Sequence, residues 1–158
     1  MYKVTLIVLI LALMTTLVVS ASAILLMGTA SLTIEEPVSV NPISDTYPAR
    51  STGAKTYSNI IAIDFTKGGF TSGQSVRVKV ELIINDPKIG EFRSLTIEIY
   101  KGATLVATLT KDSPVTYFDE TVLSSPGTVN YNVRIIYQTG AKSVSVTFKL
   151  GVQIVYVE

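Results

Sequence analysis

SVRVKVELIIN, residues 75–85, alternates apolar and polar side chains almost without fault. Val76, Val78, Val80, Leu82 and Ile84 share one parity; Arg77, Lys79 and Glu81 share the other. A repeat of two residues is that of an extended strand, whose side chains point to opposite faces in turn. One face is built for a core and the other for water, which is the pattern of an antiparallel sheet.

The same period recurs on either side. Tyr57–Phe65 places Ile61, Ile63 and Phe65 together, and Ser94–Tyr100 places Leu95, Ile97 and Ile99 together. Ala103–Thr110 returns with Leu105, Ala107 and Leu109 after a tight hairpin at Lys101-Gly102. Val115–Leu123 is a less regular strand. Val129–Tyr137 points Val129, Tyr131, Val133, Ile135 and Tyr137 inward. Lys142–Glu158 is a long last strand with Val144, Val146, Phe148, Leu150, Val152 and Ile154 inward, and Gly151 marks a bulge or bend. Turns fall at Lys67–Gln74, Asp86–Gly90, Ser124–Gly127 and Gln138–Ala141. Evenly spaced strands with no amphipathic helix after residue 34 predict an all-β fold. It is an antiparallel β-sandwich, jelly-roll or immunoglobulin-like, of roughly seven to nine strands. The turn Pro126-Gly127 before Tyr131 is similar to the corner of immunoglobulin domains where a tyrosine bonds upstream backbone; a plain core tyrosine is the simpler reading.

Upstream the character changes. Between Lys3 and Glu35 no charged residue occurs. Met1-Tyr2-Lys3 forms a positive n-region, Val4–Val19 an apolar h-region, and Ala21-Ser22-Ala23 a small-residue cleavage site. A second possible cut follows Gly28-Thr29-Ala30, with a longer leader. Val4–Ala30 is also long enough to cross a ~30 Å hydrocarbon core as an uncleaved helix, although no Lys/Arg cluster follows it.

Cleavage after Ala23 would leave Ile24 at the mature N-terminus. From there Ile24, Leu26, Gly28, Ala30, Leu32 and Ile34 share one parity, and Thr29, Ser31, Thr33 and Glu35 the other. This is a half-buried strand in search of a sheet. Residues 35–56 carry Pro37, Pro42 and Pro48 among polar residues and read as an extended connector with one short edge strand at Val38–Val40. The expected organisation is thus a signal segment 1–23, a donor strand 24–34, a connector 35–56 and a sandwich domain 57–158.

Composition narrows the function classes. The 158 residues include no His, no Cys and no Trp. The usual general base, thiol chemistry, disulfides and thiolate metal sites are therefore missing. Net charge is +1, with no basic tract for nucleic acid. Losing Lys3 leaves 12 bases of the 13 against 12 acids, and near-zero charge favours association. Asp119 and Glu120, with Asp112 or Asp45, could ligate calcium, which takes oxygen ligands, but no loop has the spacing of a calcium motif and solvated strand ends are the simpler reading. Tyr100, Ile136, Val155 and Tyr156 fall on the face away from the core. No catalytic residue, metal ligand, cofactor or small-molecule substrate is expected, and the chain does not read as an enzyme.

Gly28-Thr29-Ala30-Ser31-Leu32-Thr33-Ile34 behind a signal peptide, followed by a β-sandwich, resembles the TasA/camelysin family and the related archaeal bundling pilins. The family's Gly-Thr-Leu is here Gly28-Thr29-Ala30-Ser31-Leu32. Its Pro-Gly-Asp ahead of an alternating strand is here Ser72-Gly73-Gln74 ahead of Ser75–Asn85, and the Gly expected soon after Asn85 is not matched. The resemblance spans roughly residues 24–100 and implies a secreted, cell-surface filament, such as a pilus or biofilm fibre. Its subunits would join head to tail, each lending its N-terminal strand to the next. The alternative is a single-pass membrane-anchored surface or viral envelope protein, touching the membrane only through the N-terminal segment.

Overall fold

The computed structural model describes residues 36–84 and 86–157, all within one compact unit spanning Glu35–Glu158. The leader, the cleavage positions Ala21 and Ala23 and the expected donor strand lie outside the described residues. Among the described residues nine strands follow one another: β1 Val38–Val40, β2 Ile43–Tyr47, β3 Thr52–Asp64, β4 Ser75–Ile83, β5 Phe92–Lys101, β6 Thr104–Thr110, β7 Val115–Thr121, β8 Thr128–Thr139 and β9 Val144–Val157. A 3-10 turn, Pro87–Glu91, joins β4 to β5, and the Asp86 side chain caps it by accepting the Lys88 N–H.

The strands form two antiparallel sheets. One is ordered β1-β3-β8-β5-β6 and the other β2-β9-β4-β7. Successive strands change sheet at nearly every connection; only the β5–β6 hairpin stays within one. In the immunoglobulin order the first, second, fifth and fourth strands share a sheet, and no such set exists here. The hairpin turns through Gly102 at φ 59°, a left-handed angle that glycine adopts without steric penalty.

The core lies between the inner faces. Val76, Val78, Val80 and Leu82 of β4 meet Ile61 and Ile63 of β3, Leu95, Ile97 and Ile99 of β5, and Val133 and Ile135 of β8, all buried in one cluster. One end is closed by aromatic rings. Tyr47 stands edge-on to Phe92, Tyr137 and Phe148, with centroids 5.3, 4.6 and 6.0 Å away, a geometry that sets ring edges against ring faces.

Four expectations are corrected. Residues 35–56 are not a connector: β1 lies where an edge strand was expected, but β2 and the first residues of β3 follow it and belong to the sandwich. Ile84 is exposed, because β4 stops at Ile83 where the chain leaves for the 3-10 turn. Leu105 is exposed too. The β5–β6 register steps from Ile99↔Ala107 to Tyr100↔Leu105, so Val106 is an extra residue, and one inserted residue reverses the facing of everything beyond it. The irregularity in β9 sits at Val155, between the pairs Val78↔Ile154 and Arg77↔Tyr156, while Gly151 pairs regularly with Glu81.

Candidate functional site: the open flank of the last strand

β9 is the longest strand, and its two halves have different neighbours. Val144–Phe148 pair with β2, and Lys149–Val157 pair with β4. Hydrogen bonds at the ends of the ladder show which main-chain groups face which side. The Leu82 N–H donates to Pro114 O at 2.7 Å, and Gln74 O accepts from the Val122 N–H at 2.9 Å, both on the β7 side. In an antiparallel ladder the N–H and C=O of one residue point one way and those of the next point the other. Ile83, Glu81 and Lys79 therefore address β9, opposite Lys149, Gly151 and Gln153. Leu150, Val152 and Ile154 turn their N–H and C=O groups away from β4, toward the side that β2 occupies only as far as Phe148. Among the described residues no strand covers that side beyond Phe148.

Pro42 makes the opening. The Asn41 N–H donates to Ile60 O at 2.8 Å, and its side-chain amide donates to Asn59 O at 3.3 Å. Both bonds tie the chain to β3 in the other sheet. Pro42, with no N–H to give and φ fixed, is where the chain crosses to begin β2 beside β9. A depression of about 260 Å³, lined by Val40, Pro42, Ile83, Lys149 and Leu150, sits at this fork.

Burial along β9 records the missing neighbour. Val144, Val146 and Phe148 are 1%, 4% and 1% exposed and Leu150 is 7%, whereas Val152 and Ile154, still in phase with the core, are only half-buried. Among the described residues the site is thus a row of main-chain donors and acceptors with no strand partner, above incompletely covered apolar side chains. Such a surface accepts a strand. The outward Tyr100 and Ile136 are half-buried and Val155 is exposed, as their parity predicts.

The candidate calcium ligands Asp45, Asp119 and Glu120 form no cluster among the described residues. Asp119 faces water and pairs with Arg77 at 2.9 Å. Glu120, one residue on, faces the core and is 6% exposed. Its Oε1 accepts from Lys101 Nζ at 2.6 Å and from the Thr121 N–H at 3.0 Å, and its Oε2 from the Tyr131 hydroxyl at 2.7 Å. Tyr131 is therefore a core tyrosine bonded to a side chain, not a corner tyrosine bonded to upstream backbone. Burial first, then the Glu120 carboxylate, raise the Tyr131 hydroxyl well above the ordinary phenol value and keep it a donor. Asp45 accepts from Tyr57 and pairs with Lys55 at 2.9 Å. Lys55 and then Tyr57 hold the Asp45 carboxyl below its usual value of 3.8, and burial pushes the neighbouring Tyr47 hydroxyl up to about 12. Among the described residues no group of three or more acids is placed to hold a metal ion.

Sequence parity carried a signal for Glu120 that the charge pair hid. Phe118, Glu120 and Val122 share one parity, and all three are buried. The open flank had no such signal, because it depends on where another strand stops. No family model matches the chain, and no curated protein matches it.

Proposed function

We propose that the chain is a structural subunit of an extracellular filament, in which the N-terminal segment of one copy adds as a strand to the open flank of β9 in the next. The observation that carries this reading is that flank, Leu150–Val157, lying over the half-buried Val152 and Ile154. The alternating segment Ile24–Ile34 has eleven residues, enough to cover it from end to end. Ile24, Leu26, Leu32 and Ile34 would sit over the gap, and the small Gly28 and Ala30 would pass where the two sheets approach. Burying four large aliphatic side chains contributes ~1.5–3 kcal/mol each. The main-chain ladder adds to this and sets the register, against an association cost of ~4–15 kcal/mol. The contact joins unlike surfaces and so propagates along a line without closing. We read the strand order, β2-β9-β4-β7 facing β3-β8-β5-β6, as a jelly roll with β1 added at one edge.

Val152→Pro tests the reading. Its N–H points away from β4, so proline removes a donor from the open flank and none from the β4 ladder. Expressed in the full chain, the variant should fold and be exported but give no filaments in negatively stained preparations. Filaments of normal length from Val152→Pro, or from a chain lacking residues 24–34, would overturn the proposal. N-terminal sequencing adds a second decision: Ile24 at the mature end supports a free donor strand, and an intact Met1 supports a membrane anchor.

A further inference from the structure

The outer face of the five-stranded sheet carries a depression of about 270 Å³, lined by Thr56, Tyr100, Gly102, Asn132 and Arg134. A break in β3 borders it. The β3–β8 register steps from Tyr57↔Val133 to Ile61↔Tyr131, so Ser58, Asn59 and Ile60 all stand opposite Asn132. Asn59 takes φ 54°, a left-handed angle that asparagine adopts more readily than other residues with a side chain. Asn132 holds this bulge by accepting the Asn59 N–H on Oδ1 at 3.0 Å. Bulges occur beside binding sites, where they re-aim side chains.

The bond to Asn59 fixes the Asn132 amide. Its oxygen is taken, and its NH2 group has no partner among the described residues. The Thr56 hydroxyl has none either. Arg134 commits one Nη1 to Glu98 through a long 3.4 Å contact, and the rest of its donor fork is uncommitted. Glu98 also accepts the Tyr100 hydroxyl at 2.8 Å, which steadies the ring beside the depression. The Glu98 charge offsets that of Arg134, so the depression is not an anion trap. An aromatic wall, a planar guanidinium, an amide donor and a hydroxyl remain. A pyranose ring answers that set: its C–H face lies against an aromatic ring, and its hydroxyls each donate and accept.

We propose that this depression docks one neutral hexopyranose unit. The reading is independent of strand exchange at β9, since the two sites lie on different sheets. A shallow site contacting a dozen or so ligand atoms supports a Kd of order ~1–10 mM.

Titration of the purified protein with glucose, galactose and mannose, followed by heteronuclear NMR, tests it. One of the three should produce saturable shifts at the Asn132 side-chain amide, the Arg134 Nε–H and the Gly102 N–H. Arg134→Ala and Tyr100→Ala should each weaken binding ~10-fold or more, as losing an anchoring side chain does. Thr56→Val, close in shape and exposed, removes one hydroxyl and should weaken binding without touching the fold. Absence of saturable shifts at ~100 mM sugar, where such a site would be filled, would overturn the proposal. So would shifts that survive all three substitutions, or tighter binding of glucuronate than of glucose.

Discussion

Tyr131→Phe deletes one oxygen atom from the interior of the sandwich and leaves the rest of the side chain in place. Tyr131 is fully buried, and its hydroxyl donates to Glu120 Oε2 at 2.7 Å. The ring contact with Phe118, centroids 5.3 Å apart, survives the change. Lys101 and the Thr121 N–H are both bonded to the other carboxylate oxygen, so Oε2 loses the one protein donor that the described residues give it. A hydrogen bond to a charged group contributes ~1.5–3 kcal/mol, and an unmatched buried acceptor sits at the costly end of that range. The expected loss is ~2 kcal/mol, or a Tm lower by ~5–10 °C for a domain of this size. Equilibrium urea unfolding measures it. In a Glu120→Leu background the same substitution should be neutral or stabilising, because the hydroxyl then has no carboxylate to serve. The resulting coupling should reach ~1.5 kcal/mol or more. A Tyr131→Phe protein within ~0.5 kcal/mol of the parent, or an equal cost in both backgrounds, would refute the view that this bond clamps β7 to β8.

Asp45→Asn should flatten the acid limb of the stability profile. A depressed folded pKa gives stability that is fully present above the unfolded value, here 3.8, and that is lost as the pH falls from there through the lower folded value. The variant should therefore fall behind the parent by at most ~1 kcal/mol at neutral pH, since the Lys55 pair is partly exposed, and the gap should narrow as acid protonates Asp45 in the folded parent; urea midpoints followed from neutral into acid pH measure the convergence. Leu82→Ala should cost ~2–5 kcal/mol through the cavity it leaves, whereas Ile84→Ala, two residues on and already in water, should stay within ~0.5 kcal/mol in the same assay. Gly102→Ala should cost ~1–2 kcal/mol because a Cβ is strained at φ 59° even though the space around it is open, and Gly102→Asn should recover part of that loss by calorimetry.

The strands of the sandwich were legible because their period is a local property. Val76, Val78, Val80 and Leu82 needed nothing beyond themselves to declare an inner face, and the same holds for Leu95, Ile97 and Ile99. The period misled only where backbone irregularity broke the parity, at Leu105 beyond the Val106 bulge and at Ile84 beyond the end of β4. Proline content misled in another way. Pro37, Pro42 and Pro48 suggested a connector, yet they bracket two short edge strands, the one place in a sheet where a missing N–H is tolerated.

The sequence by itself determined that this chain alternates strands, that it holds no histidine or cysteine chemistry, and that an uncharged alternating segment precedes the sandwich. Tertiary structure alone decided which strands neighbour one another. Pairing joins residues far apart in the chain, Ile43 with Phe148 and Val76 with Val157, and no local pattern encodes the partner. The flank of β9 that the described strands leave unpaired is a consequence of that pairing, since β2 stops beside Phe148 and the chain crosses to the other sheet at Pro42. Glu120 follows the same logic. Its parity pointed inward, but a buried carboxylate is stable only where a lysine from the β5–β6 hairpin and a tyrosine from β8 converge on it, and the fold alone brings those together.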